Sequence, residues 1–189
     1  RPINTADDLA GLKLRVIQSP LFLDTFNALG TNATPMPFTE LYTAMEQKAV
    51  DGQENPPATI LASKFYEVQK HLVLSRHMYS AWVLLISKKT WDGLSAADRA
   101  KMSEIALKVQ QQLQADVPKG DGLATLMMQN QGLKVTKGTG PEWQQLANNL
   151  GQTMRGKMVP QDIFDIALKE SDAFRARKEV EAKSHAAAP

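Results

Sequence analysis

An arginine inside an otherwise apolar strand pattern, with a helix start directly behind it, restricts the fold of this chain more than any other feature. Residues 12–17 alternate Leu12, Leu14 and Val16 with Lys13, Arg15 and Ile17, a period of two that predicts a short strand after a turn at Gly11. Ser19-Pro20 then opens a helix with proline at its first position, Leu21, Phe22, Leu23, Phe26 and Leu29 supply its apolar face, and Gly30 ends it. A second unit follows the first. Pro35 and Pro37 keep residues 31–37 extended, and Thr39 is expected to cap a short helix with Leu41, Ala44, Met45 and Ala49 facing inward. Strands alternating with helices predict an α/β fold with parallel pairing.

Farther on, Asp51-Gly52-Gln53-Glu54-Asn55-Pro56-Pro57 reads as a polar turn with an extended exit. Residues 71–74 and 81–87 read as strands, the second apolar enough to be buried on both faces. Ser95 opens the longest helix, with Met102, Ile105, Ala106, Val109 and Leu113 on one face. The run Pro118-Lys119-Gly120-Asp121-Gly122 is expected to break or bend it, leaving a separate helix over 123–130 that stops at Gly132. A strand is expected at 133–136. Pro141 starts a helix carrying Trp143, Leu146 and Leu150, and Pro160 starts another carrying Ile163, Phe164, Ile166, Ala167 and Phe174. Residues 184–189 read as a frayed tail.

Several chemistries lack a handle. The 189 residues contain no cysteine, which excludes disulfides, thiolate nucleophiles and Cys-ligated metals. Lys+Arg number 22 against 20 Asp+Glu, scattered rather than blocked, so the charge pattern calls for no nucleic-acid partner. The longest apolar run, 81–86, falls far short of the roughly 20 residues of a spanning helix, and the N-terminus carries no basic-then-apolar signal pattern. His71, His77 and His185 have no helical i, i+4 partner and no carboxylate at ligand spacing, so they read as strand-end or surface residues and no metal is expected. No G-x-S-x-G, P-loop or G-x-G-x-x-G occurs, and Gly138-Thr139-Gly140 reads as a turn before a helix.

Two features remain. A guanidinium within a strand costs desolvation unless it reaches water, a carboxylate or a ligand, so Arg15 either snorkels, pairs internally or binds. Small ligands bind in the crevice beyond the carboxyl ends of parallel strands, where this strand leads. The segment 51–55 contains Gln53 and Asn55, whose amides both donate and accept, but by itself it reads as a solvated loop with Asp51 and Gly52 making the turn.

Taken in order, Gly11-Leu12-Lys13-Leu14-Arg15-Val16, Leu29-Gly30, Pro35-Met36-Pro37-Phe38-Thr39-Glu40-Leu41-Tyr42-Thr43-Ala44-Met45 and Val50-Asp51-Gly52-Gln53-Glu54-Asn55-Pro56 resemble the DctP-like solute-binding proteins of TRAP transporters. The likeness continues through Phe65-Tyr66-Glu67-Val68-Gln69-Lys70 and Lys88-Lys89-Thr90-Trp91 with Leu94, and covers residues 6–168. The resemblance implies a periplasmic receptor with a periplasmic-binding-protein-like, two-lobe α/β fold. Such a receptor captures a small organic acid, delivers it to the membrane subunits of a sodium-coupled transporter, and catalyses nothing. It implies that Arg15 bridges the ligand carboxylate, Asn55 hydrogen-bonds it and Phe38 lies against the ligand body. Gln18, Ser19 and Gln53 are added as polar candidates near the same crevice. No cofactor is implied, and the receptor does not itself span the membrane.

Family chains are longer, so this one resembles a C-terminal portion: residues 1–80 and 121–174 most of the second lobe, 81–120 a crossing strand and long helix of the first, and 175–189 a helix end and tail. The strand at 81–86 would then offer an apolar edge open to self-association. A ligand-sensing domain of a regulatory protein with a similar two-lobe fold is the alternative. An enzyme with Asp51 or Glu54 as general base lacks a nucleophile or metal partner in the sequence.

Overall fold

A computed structural model describes residues 2–78, 83–138 and 140–186. It divides into two compact units, Arg1–Gly140 and Pro141–Pro189, each described by itself.

The first unit opens with a 3-10 turn, Ala6–Leu9, and then three parallel strands in the order β2-β1-β3. β1 is Lys13–Val16, β2 Asn32–Pro35 and β3 Gly52–Gln53. The helix α1, Pro20–Ala28, crosses from β1 to β2, with Pro20 using the position where its missing N–H costs nothing. Leu14 and Val16 share one face of β1 and pack with Phe26 of α1, which sends Arg15 to the opposite face.

β3 corrects the reading of 51–57 as a turn. Asp51 clamps it to β1: its backbone N–H donates to the Lys13 carbonyl at 2.8 Å, and its carboxylate accepts from the Lys13 N–H at 2.8 Å. A Cβ on Gly52 would stand 3.3 Å from Leu14 Cδ1, so a glycine here permits the close approach. Thr39 does not cap a helix. It lies inside a 3-10 turn, Phe38–Glu40, that runs into α2, Leu41–Glu46. Leu41, Ala44 and Met45 are buried as expected, but Ala49 is exposed and Val50 is buried in its place, because the chain has left the helix before Ala49 and the helical spacing no longer applies.

The main core joins α2 to α3, Pro57–Ala62, to the 3-10 turn Phe65–Glu67, and to the end of the longest helix, with Leu41, Ile60, Phe65 and Met128 at its centre. β4, His71–Leu74, pairs in parallel with β5, Lys134–Lys137, in the register His71↔Lys134 to Leu74↔Lys137. Between them lie α4, Lys88–Gly93, and α5, Ala96–Asn130.

α5 is one helix of 35 residues that continues through Pro118 and both glycines, where a break or bend was expected. Proline removes the partner of the Gln114 carbonyl, but this stretch is exposed, so water satisfies it. The ends hold the helix. Ser95 accepts from the Asp98 N–H at 3.1 Å and donates to the Asp98 carboxylate at 2.7 Å. Beyond Asn130, Gly132 takes φ +90°, which glycine tolerates, and the Leu133 N–H returns to the Met128 carbonyl at 3.1 Å. Asp121 accepts from the Ala58 N–H at 3.1 Å, tying α5 to the start of α3.

The strand expected over 81–87 is absent from 83–87, which run as irregular chain; residues 81 and 82 lie outside the described residues. No described strand pairs with this segment, so its apolar side chains stay out, Leu84 at 85% exposure. Met102, Ile105, Val109 and Leu113 of α5 are likewise exposed.

In the second unit, α6, Pro141–Met154, and α7, Gln161–Ala186, form a helical pair. Phe164 faces Gly151, and Arg155 holds Asp165 through two hydrogen bonds of 2.7 and 2.6 Å. Ile163, Ile166 and Phe174 of the expected apolar face are exposed. α7 runs to Ala186, into the tail read as frayed, and 187–189 lie outside the described residues.

Candidate functional site

The register of the three-stranded sheet places Arg15 between Thr34 of β2 and Gln53 of β3, all on one face. Arg15 is 3% exposed, although its strand ends at an open cleft. Its Nε–H and Nη2–H both donate to the Met36 carbonyl, at 2.9 and 2.7 Å. That carbonyl belongs to the segment just after β2, which the two prolines hold extended. One edge of the guanidinium is thereby fixed, and Nη1 is buried without a partner among the described residues. Burial pulls the Arg15 pKa below its ordinary value, while the Glu54 carboxylate acts in the opposite direction. The group stays charged. A buried, oriented cation with unused donors is arranged to receive an anion.

The cleft encloses about 470 Å³ and is lined by Arg15, Ile17, Gln18, Met36, Pro37, Phe38 and Asn55. Phe38 is 45% exposed and lines the cleft. The Arg15 guanidinium carbon lies 5.9 Å from its ring centre, and Phe65 of the core supports it at 5.7 Å. Of the residues singled out in the sequence, Arg15, Phe38, Gln18 and Asn55 are brought together here. Ser19 and Gln53 lie outside the lining. Ser19 is the N-cap residue of α1, without a side-chain cap bond. Gln53 accepts a hydrogen bond from the Asn55 Nδ2.

Behind Asn55 is an arrangement with no sequence signal. Glu54 Oε2 lies 3.5 Å from His77 Nε2, and His77 Nδ1 is 2.8 Å from Ser75 Oγ. The edge-to-face contact between Phe26 and His77 packs this ring against α1. His77 lies at the surface, as its sequence neighbours suggested, with its ring held by Glu54, Ser75 and Phe26. His71, by contrast, begins β4 as expected, and burial pulls its pKa down. Ile17, Pro37 and the Met36 carbonyl were missed as site components, since a backbone acceptor and two apolar walls leave no mark in a search for polar side chains. No group of three or more metal-ligating side chains occurs among the described residues, and no described helix is long and apolar enough to cross a membrane.

A buried arginine at the carboxyl end of a parallel sheet, beside an aromatic and an amide in an open cleft, is arranged to hold a small anion. Comparison with known proteins gives the family. The model of the bacterial extracellular solute-binding proteins, family 7 (DctP), matches residues 1–159, and the chain belongs to that family. It is 34% identical to the sialic acid-binding periplasmic protein SiaP of Vibrio cholerae serotype O1 over 84% of this chain and 52% of that one. It is 45% identical to the 2,3-diketo-L-gulonate-binding periplasmic protein YiaO of Escherichia coli, over 50% of this chain and 29% of that one. Among solved structures, a TRAP periplasmic solute binding protein from Ochrobactrum anthropi superposes with a TM-score of 0.80 at 37% identity, covering 94% of this chain and 57% of that one. The sugar acid binding protein of Advenella mimigardefordensis in complex with galactonate gives 0.78 at 38% identity, covering 89% and 56%. These neighbours have a two-lobe fold, and the chain spans about half the length of the curated relatives and solved structures it matches over most of its own length.

Proposed function

We propose that this chain is the ligand-capturing part of a periplasmic receptor that takes a small organic acid by its carboxylate and delivers it to the membrane subunits of a TRAP-type, sodium-coupled transporter. The observation that carries the reading is the state of Arg15: one edge is held by the Met36 carbonyl, and Nη1 is buried with no partner among the described residues. A carboxylate would take the remaining fork, formed by Nη1 and the second proton of Nη2, and so supply the missing acceptor. Asn55 would donate to the same carboxylate, Phe38 would cover the pair against water, and Gln18 at the cleft rim would reach the polar end of the ligand. Excluding water strengthens the ion pair, so closure of a second lobe over the cleft would be coupled to binding.

The names of the relatives support an acid as ligand: sialic acid, diketogulonate and galactonate each carry a carboxylate. The same proposal assigns residues 1–80 and 121–174 to one lobe and 81–120 to a segment crossing to the other. Binding and release would need no bond-making step, so the receptor is not an enzyme. A thermal-shift screen of sugar acids, keto acids and dicarboxylates, each against its neutral amide, tests the proposal. Acids are expected to raise the unfolding midpoint, since ligand at about 100 times its dissociation constant adds roughly 2.7 kcal/mol. Equal shifts from acids and amides, or the same shifts on Arg15→Ala, would overturn it.

A further inference from the structure

We infer that Gln53 is a positioning residue: by accepting from the Asn55 side-chain amide it keeps the amide nitrogen, and not its oxygen, available to the cleft, and so makes the site select carboxylates over their uncharged amides. The inference rests on carboxylate capture at Arg15 and adds a residue that does not touch the ligand. Gln53 is the register partner of Arg15 in the parallel ladder, so its side chain leaves the sheet on the same face, one strand away. It lies outside the cleft lining, whereas Asn55 lies within it, and the Asn55 Nδ2 donates to Gln53 Oε1.

A side-chain amide is two-faced. Turned one way, Asn55 offers N–H; turned by 180° about its last bond, it offers C=O. A carboxylate can only accept, so only the first orientation helps to bind one. The second would also bring a competing acceptor toward Arg15, whose Nη1 has no partner among the described residues. An acceptor at Gln53 stabilises the first orientation by holding one proton of the NH2 group, and the other proton remains for the ligand. Glu54, between the two in sequence, is already turned to His77 and does not compete for Asn55.

The test has two arms on the 189-residue chain. In the first, without ligand, nuclear magnetic resonance follows solvent exchange of the Asn55 side-chain protons, assigned by their loss in Asn55→Ala. Gln53→Met, similar in size but a poor acceptor, is expected to speed exchange about tenfold, and Gln53→Glu, which keeps an acceptor, to leave it slow. Unchanged exchange in Gln53→Met overturns the inference, as does fast exchange in Gln53→Glu. In the second arm, galactonate and galactonamide are titrated as probes. The preference for the acid is expected to fall about tenfold in Gln53→Met, and Gln53→Met added to Asn55→Ala is expected to change nothing further. Additive losses would mean that Gln53 acts on the ligand directly and would overturn the positioning role. Failure of galactonate to bind the unaltered chain counts against sugar-acid capture, and the exchange arm then decides the role of Gln53 by itself.

Discussion

The carbonyl of Met36 accepts two hydrogen bonds from one guanidinium, Nε–H of Arg15 at 2.9 Å and Nη2–H at 2.7 Å. The pairing uses the side edge of the fork and leaves the end edge for an incoming anion. Lysine cannot do both, because a single ammonium has neither the planar fork nor the reach to hold the carbonyl and a carboxylate in fixed directions. Arg15→Lys is therefore expected to weaken binding of an acid about a hundredfold in calorimetric titration, close to the loss in Arg15→Ala. Unchanged affinity in the lysine variant would remove Arg15 from the site.

Pro118 sits inside α5 on an exposed stretch and leaves the Gln114 carbonyl without a helical partner. Pro118→Ala restores an N–H and a good helix former at no packing cost, so stability should rise by roughly 1–3 kcal/mol. Urea unfolding measures this. A lower midpoint would mean that the proline meets a need which the exposed helix surface does not reveal.

The Arg155 guanidinium, through its hydrogen bonds, holds the Asp165 carboxyl below its ordinary value and is itself raised by the same contact. A carboxylate held low in the folded chain contributes stability that is fully present above its unfolded pKa. The contribution fades as pH falls through the lower, folded value. Both side chains are partly exposed, so the effect is small and sensitive to salt. Amide protection in α6 and α7, taken relative to the intrinsic exchange rate at each pH, is expected to fall below about pH 4, and Asp165→Asn should flatten that dependence. An equally steep acid response in the asparagine variant would show that the pair is not its source.

Val83, Leu84 and Leu85 are 73%, 85% and 83% exposed, and Ile105, Val109 and Leu113 of α5 are about half exposed. Apolar side chains left open in such number favour association. Sedimentation at rising concentration is expected to show this 189-residue chain as oligomers, and Leu84→Glu to shift it toward monomer. A monomer at all concentrations would refute the expectation.

Much of the fold was legible because short-range rules governed it. The period-two run around Arg15 and the Ser19-Pro20 start are local signals, and β1 and α1 form where they predict. Reading failed where a distant partner decided the outcome. The residues of β3 read as a turn in the sequence, since a strand of two residues exists only through the hydrogen bonds Asp51 and Gln53 make with β1. The apolar run near residue 84 reads as a buried strand, since its composition suits one, but no described strand pairs with it. Pro118 and its glycines were expected to break or bend α5, because propensity is evaluated residue by residue, while caps and the burial of Met128 act on the whole helix. Of the cleft lining, Arg15, Gln18, Phe38 and Asn55 were legible as candidates, but the Met36 carbonyl and the Glu54–His77 contact behind them were not.

The sequence by itself determined the α/β class and the presence of one arginine where an apolar side chain would fit better. Both follow from periodicity and from the cost of burying charge, which act within a few residues. Only the tertiary structure decided how that arginine is used. Its near edge is occupied by a carbonyl 21 residues away, its far edge is left open, and the amide beside it is held by Gln53. The direction of a hydrogen bond depends on the position of both partners, and chain folding alone brings residues 15, 36, 53 and 55 to one end of the sheet.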